Sequence, residues 1–228
     1  MTFWLVGFTR EGPARFLSHL DTSRAIQRTF ARGGVPIALS QGMRPKPRLS
    51  LPLPLPVGAA GREELAVVET VEDGPDAAAA LRALCAAAPP GLTPTAITVV
   101  EQGHPRPQAV AAEYACRVDG DTAAILAAVQ RFASEATAPC ERVSPKGRRA
   151  FDLKEFIGTA AAEPVPGGAR LRFVVRHRHD GAAKPQEFVD LIARWAGADA
   201  AMRCLERVRI SWKASPAGVP RAGRSVTP

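Results

Sequence analysis

Ser40 to Gly58 reads SQGMRPKPRLSLPLPLPVG, and the fold turns on how this stretch is placed. Pro45, Pro47, Pro52, Pro54 and Pro56 each fix φ and remove a backbone donor. The run is therefore excluded from helices and from central strands. Its first half carries Arg44, Lys46 and Arg48 and predicts a rigid, extended, basic loop. Its second half alternates Leu51, Leu53 and Leu55 with prolines, which suits an edge strand or polyproline segment with one buried face. On this reading the leucine half anchors to a sheet edge and holds the basic half out toward an anionic partner.

The flanks supply that sheet. Upstream, Phe3 to Phe8 alternates around Trp4, Val6 and Phe8 and predicts a first strand. Ser18-His19-Leu20-Asp21 has the form of a helix start, Ser18 capping. The helix is expected to run to about Arg32 and stop at Gly33-Gly34, with Leu20, Ile26, Thr29 and Phe30 inward. Arg24, Arg28 and Arg32 recur every fourth residue and predict one outward basic stripe. Ile37 to Leu39 reads as a short second strand. Downstream follow a strand over Leu65 to Val71, a helix from Pro75-Asp76 to about Ala88, and a strand over Ala96 to Val100.

After a linker, Gly103 to Gln108, the order repeats. Tyr114 to Val118 predicts a strand, Asp121 caps a helix with Ile125, Leu126, Val129 and Phe132, and Cys140 to Val143 predicts a short strand. A second basic turn follows, Ser144-Pro145-Lys146-Gly147-Arg148-Arg149, then strand signals over Phe151 to Ile157 and Leu171 to His177. Pro185 opens a helix with Phe188, Leu191, Ile192 and Trp195, and Leu205 to Trp212 closes the sheet with Arg207 and Arg209 outward. The expected fold class is α+β: two ferredoxin-like halves of β-α-β-β-α-β order, residues 1–102 and 109–213, each with a basic insertion after its second strand. Residues 214–228 read as a disordered tail. With pseudo-symmetric packing, the two basic loops would flank one groove.

At 228 residues, 46% hydrophobic and 23% charged, the composition is that of an ordinary globular protein, with a net charge of +8. The excess is clustered. From Arg10 to Arg48, the bases Arg10, Arg15, Arg24, Arg28, Arg32, Arg44, Lys46 and Arg48 face only Glu11 and Asp21. A second cluster, Arg142, Lys146, Arg148, Arg149 and Lys154, faces Asp152. Such clustering serves phosphate-backbone binding, where each neutralised phosphate releases counterions; the alternative is a solvated basic face. No aromatic residue interleaves the loops, which argues against base stacking on a sheet.

Catalytic chemistry has little to stand on. Ser18, His19 and Asp21 are too close along one turn to form a hydrolase triad, whose members converge from separate elements. Capping explains Ser18 and Asp21, while His19 remains a candidate groove residue. His177 and His179 on alternate strand positions are a weak metal pattern, and strand-end surface histidines explain them. P-loop, G-x-G-x-x-G and H-E-x-x-H sequences are absent. Cys85, Cys116, Cys140 and Cys204 are widely spaced and predict reduced core thiols rather than a metal or iron–sulfur site. The first residues lack a signal-peptide pattern and no apolar run reaches the ~20 residues of a membrane span, so a cytoplasmic protein is expected.

The pattern RFLSHLD (Arg15 to Asp21), SQG-x-x-P-x-P (Ser40 to Pro47) and LPLPVG (Leu53 to Gly58) resembles the radical-SAM-linked proteins, a bacterial domain family of unknown function. SPKGRRAFDLKEFI (Ser144 to Ile157) and AKPQEFVDLI (Ala183 to Ile192) look like that family's later motifs. The resemblance implies company with a radical S-adenosylmethionine protein, often near ribonuclease E/G genes, and hence a part in RNA metabolism or modification. The chain lacks the cysteine triad of a radical enzyme, which makes it the partner rather than the catalyst. Where the family commonly reads G-F-N-P-H-P-K, this chain has Gly42-Met43-Arg44-Pro45-Lys46-Pro47-Arg48. A role for that motif's Asn or His does not carry over; backbone shape and positive charge do.

The expectation is a non-catalytic RNA-binding accessory protein without cofactor or metal. Arg24, Arg28, Arg32, Arg44, Lys46, Arg48, Lys146, Arg148 and Arg149 would contact phosphates, and Ser18, His19 and Gln41 would line the groove. Two alternatives stand beside it: an RNA-modifying or RNA-cleaving enzyme using His19 with Asp21, and a protein-interaction module docking through residues 51–56.

Overall fold

The computed structural model describes residues 2–71, 76–101, 104–145, 147–179, 181–197 and 201–213. Within them it is a mixed α+β protein with a mostly sheet core and four α-helices. The chain divides into two compact units. One runs to Ala109 and takes in the end of the last strand from Trp212; the other is Val110–Ser211.

In the first unit the strands are β1 (Thr2–Arg10), β2 (Leu49–Ser50), β3 (Ala60–Thr70) and β4 (Leu92–Val100), with helices α1 (His19–Arg32) and α2 (Ala77–Ala87). The strand order is β4-β1-β3 with β2 on β3, and every pairing is antiparallel. The pleat of β1 sorts its side chains. Trp4, Val6 and Phe8 meet Ile26 and Phe30 of α1, Ala80 and Leu84 of α2, and Ala66 and Val68 of β3. Leu5 goes to the other face with Leu65, Val67 and Val100, joined by Phe3 and Trp212. Both helices start on side-chain caps, Ser18 accepting from the Asp21 N–H and Asp76 from the N–H groups of Ala78 and Ala79.

The expected second strand is where the sequence reading needs correction. Ile37 and Leu39 form only isolated bridges, Ile37 to Thr70 and Leu39 to Pro47. The edge lane beside β3 is occupied twice: Ile37 pairs with Thr70, the chain leaves, and Leu49 and Ser50 return to pair with Val68 and Val67. The basic loop therefore interrupts the second strand instead of following it. Leu51 to Pro56 is not a strand. It is an irregular segment on which Leu55 is buried and Leu51 packs against the core. Leu20, expected inward, is 57% exposed, and Thr22 takes the inward position.

The second unit contains most of β5 (Gln108–Asp119), α3 (Thr122–Ser134), β6 (Pro139–Ser144), β7 (Gly147–Asp152), β8 (Ile157–Val165), β9 (Gly168–Arg176), α4 (Pro185–Ala196) and most of β10 (Ala201–Lys213). Its main sheet runs β10-β5-β9-β8. Here Cys140 to Val143 belongs to β6, which pairs only with β7 in a separate two-stranded hairpin. The insertion precedes the second sheet strand, β8, which the sequence reading missed. A 3-10 turn over Leu153–Glu155 splits the expected strand Phe151 to Ile157 between β7 and β8. In the core Tyr114 stacks on Phe173, Phe173 meets Phe188 at a tilt, and Phe188 lies edge-on to Phe132, with ring centroids 4.7–5.8 Å apart. Lys146 and residues 214–228, with the expected tail, lie outside the described residues.

Two arginines expected at the surface are core residues. Arg207 on β10 is 0% exposed and lies 3.5 Å from the Tyr114 hydroxyl. Arg10, at 1% exposure, ties loops together: its Nη1 donates to the Leu17 carbonyl and Thr22 Oγ1, its Nη2 to the carbonyls of Pro56 and Ala59. The expectation of core thiols holds for Cys116, whose pKa burial raises to about 12. Cys85 and Cys204 are exposed, so it fails for them. His177 follows the end of β9 and His179 sits in a turn, so the two do not share a strand.

Candidate nucleic-acid interface

Two of the expected groups of exposed cations belong to the first unit. On α1, Ile26, Thr29 and Phe30 turn to the core, so Arg24, Arg28 and Arg32 are left in solvent along the opposite face. At the start of the helix the Ser18 hydroxyl donates to Asp21 Oδ2 at 2.7 Å and accepts from the Asp21 N–H at 3.1 Å. The Ser18 hydrogen bond, helped by the Arg24 guanidinium, holds the Asp21 carboxyl below its usual range. The carboxylate is thus committed to the cap and to Arg24, 3.4 Å away, while His19 is exposed beside it.

The interrupted edge strand projects the second group. A neck is closed by Leu39 opposite Pro47, by the Ser40 N–H to the Lys46 carbonyl at 2.8 Å, and by the Arg48 N–H to the Ala38 carbonyl at 2.8 Å. The Lys46 N–H adds a bond to Ser40 Oγ at 3.0 Å. Beyond the neck, Gln41, Met43, Arg44, Pro45 and Lys46 are all exposed. Gly42 turns the tip at φ +126°, a conformation L side chains rarely adopt. Proline in the neck is no accident of composition: at Pro45 and Pro47 the missing donors are not asked for.

The other predicted contacts divide. Arg48 is only partly exposed and is used inside the fold, its Nη1 2.7 Å from Glu69 Oε2. In the second unit Arg148 and Arg149 are exposed on β7, Arg148 lying 3.5 Å from Glu141. Their neighbours in sequence are structural. Arg142 grips Glu187 at 2.6 and 2.8 Å and donates to the Ala182 carbonyl. Lys154 donates to the Phe132 and Ala133 carbonyls at the end of α3, where a cation is favoured. Gln41, Arg44 and Lys46 thus share one hairpin, Arg24, Arg28 and Arg32 one helix face, and Arg148 and Arg149 a hairpin of the other unit. Among the described residues no cluster of three His, Cys, Asp or Glu is placed to hold a metal ion, and no helix is long and apolar enough to cross a membrane.

An exposed basic stripe on α1 and a projecting basic hairpin thus both belong to the first unit of a mixed α+β protein. Residues 4–185 match the family described as an uncharacterized protein conserved in bacteria (DUF2344), and the chain belongs to that family. No curated protein matches the chain. Among solved structures it is similar to a chain of a Cbf5-Nop10-Gar1 complex, with a TM-score of 0.53 at 12% identity over 91% of this chain. The match spans 48% of that neighbour, about half its length. A protein of Galdieria sulphuraria is also matched, at 14% identity over 88% of this chain and 96% of that one, with a TM-score of 0.24. The first of these likenesses speaks to fold; the second carries no argument.

Proposed function

We propose that the protein is a non-catalytic RNA-binding accessory factor that acts in the cytoplasm. The observation that carries this reading is the pairing, within one unit, of the exposed stripe Arg24, Arg28 and Arg32 with the hairpin cations Arg44 and Lys46. Arg10, Arg48, Arg142 and Arg207 are buried or ion-paired within the fold, whereas Arg28, Arg32, Arg44 and Lys46 are exposed. A rigid neck under the tip lowers the ordering cost of binding. Arg148 and Arg149 are a second phosphate-binding element in this reading, and Gln41, Ser18 and His19 are polar contacts at the margin of the first.

Each unit is read as ferredoxin-like, on the β4-β1-β3-β2 and β10-β5-β9-β8 strand orders. The motif resemblance to radical-SAM-linked proteins supports a radical SAM enzyme as the working partner. Filter-binding titrations against total cellular RNA test the proposal. Affinity should fall steeply with salt, and Arg44→Ala combined with Lys46→Ala should weaken it about tenfold or more. Binding indifferent both to salt and to that double substitution would remove the proposal.

A further inference from the structure

A groove of about 220 Å³ opens at the neck of the basic hairpin, where the edge strand is interrupted. We propose that it seats one unpaired nucleotide of single-stranded RNA, with guanosine preferred over uridine. This rests on the RNA reading above and adds what that reading lacks, a contact to a base.

The size is the first argument. Drug-sized ligands occupy pockets of roughly 300–1,000 Å³, so about 220 Å³ suits a smaller group such as one base with its ribose. The walls are the second. Phe3 supplies a partly buried ring and Val67 an aliphatic floor on the same face of the sheet. Protein recognition of single-stranded RNA splays bases out and stacks them on such surfaces, worth about 1–3 kcal/mol per base.

The rim is polar and of two signs. Glu69 is 7% exposed, and its carboxylate is held in place by Arg48 at Oε2, which leaves Oε1 as an acceptor. A carboxylate only accepts. Guanine offers it two adjacent donors, N1–H and the exocyclic amine. Uracil offers a single N–H set between two carbonyl oxygens, which a carboxylate repels. Ser40 and Ser50 contribute hydroxyls, and Arg106 contributes an exposed guanidinium for the phosphate of the seated nucleotide. Continuity is the third argument. Ser40 lines the groove and is also the first residue of the hairpin neck, so a strand lying along Arg44 and Lys46 passes directly beside the opening.

The test compares two fluorescent probes on the full chain, a short oligouridine and the same oligouridine with one central guanosine. The wild-type protein should prefer the guanosine probe by about tenfold, and Glu69→Gln should bring the ratio of the two affinities close to one. Because that substitution also loosens Arg48, the Val67 methyl resonances of the wild-type protein provide a second readout. They should shift with the guanosine probe and stay in place with oligouridine. Equal, salt-sensitive affinity for both probes would overturn the nucleotide site while leaving RNA binding intact. A guanosine preference that survives Glu69→Gln, with the methyl resonances unmoved, would also overturn it. Failure of both probes to bind at low salt would remove the RNA reading and the site together.

Discussion

Arg10 shows how misleading a charge count is one residue at a time. In the sequence it opens the basic run. In the fold it is a buried four-way tie whose guanidinium bonds the Leu17, Pro56 and Ala59 carbonyls and the Thr22 hydroxyl. Removing it leaves those buried acceptors without donors, so Arg10→Met should cost about 3 kcal/mol or more, seen as a lower midpoint in urea. His177 makes a second residue-scale prediction. Burial, and then the Arg207 charge, push its pKa below 6.5. The unfolded chain therefore binds the proton more readily. Stability is full above pH 6.5 and falls as the pH drops below it. His177→Gln should flatten that part of the melting-temperature profile, and an unchanged slope would show that the histidine is not responsible.

At the scale of elements, one partly buried ion pair, Arg142 with Glu187, ties the β6–β7 hairpin to α4. Burial alone would raise the Glu187 pKa, but the Arg142 hydrogen bonds and charge, with the Lys184 N–H, lower it overall. A depressed carboxylate stabilises the fold above its unfolded value of 4.5 and loses that contribution as the pH falls through the folded value. Glu187→Gln should cost roughly 1–3 kcal/mol at neutral pH and soften the acid limb of the denaturation curve. Elements were also where the sequence was most and least readable. Helix starts were legible because Ser18, Asp76 and Asp121 are cap residues ahead of apolar periodicity. Strand β8 was not, because TAAAEPV carries neither alternation of large apolar residues nor β-branched runs. The parity of β10 misled for a related reason: burial falls on Leu205, Arg207 and Ile210, so it does not keep a period of two.

For the whole molecule, the net charge of +8 overstates some regions and understates others. Of the second cluster, Arg142 and Lys154 are spent on Glu187 and on the α3 carbonyls, which leaves Arg148 and Arg149 among the described residues. The first cluster loses Arg10 and Arg48 in the same way. The exposure of the candidate residues was readable, because helical periodicity leaves Arg24, Arg28 and Arg32 outward and the proline-rich loop projects Arg44 and Lys46. The buried arginines were not readable, since partners such as the Ala59 carbonyl for Arg10 and Tyr114 for Arg207 lie far away in sequence. A quantitative consequence follows for binding. Each phosphate contact adds about 0.7 to the salt slope on single strands, so Arg24→Ala with Arg28→Ala and Arg32→Ala should lower that slope by about 2. Titrations across ionic strength would measure it, and an unaltered slope would place the phosphates elsewhere.

The interrupted edge strand has one more consequence. Both halves of the lane pair with β3 on their own, Ile37 at Thr70 and Leu49 at Val68, and the Leu39–Pro47 bridge shuts the neck above them. Register is therefore set below the neck, and the residues above it contribute nothing to it. The tip from Gln41 to Pro45 is in effect an exchangeable module. Its length and charge can be rewritten, by drift or by design, while the sheet that carries it keeps the same alignment.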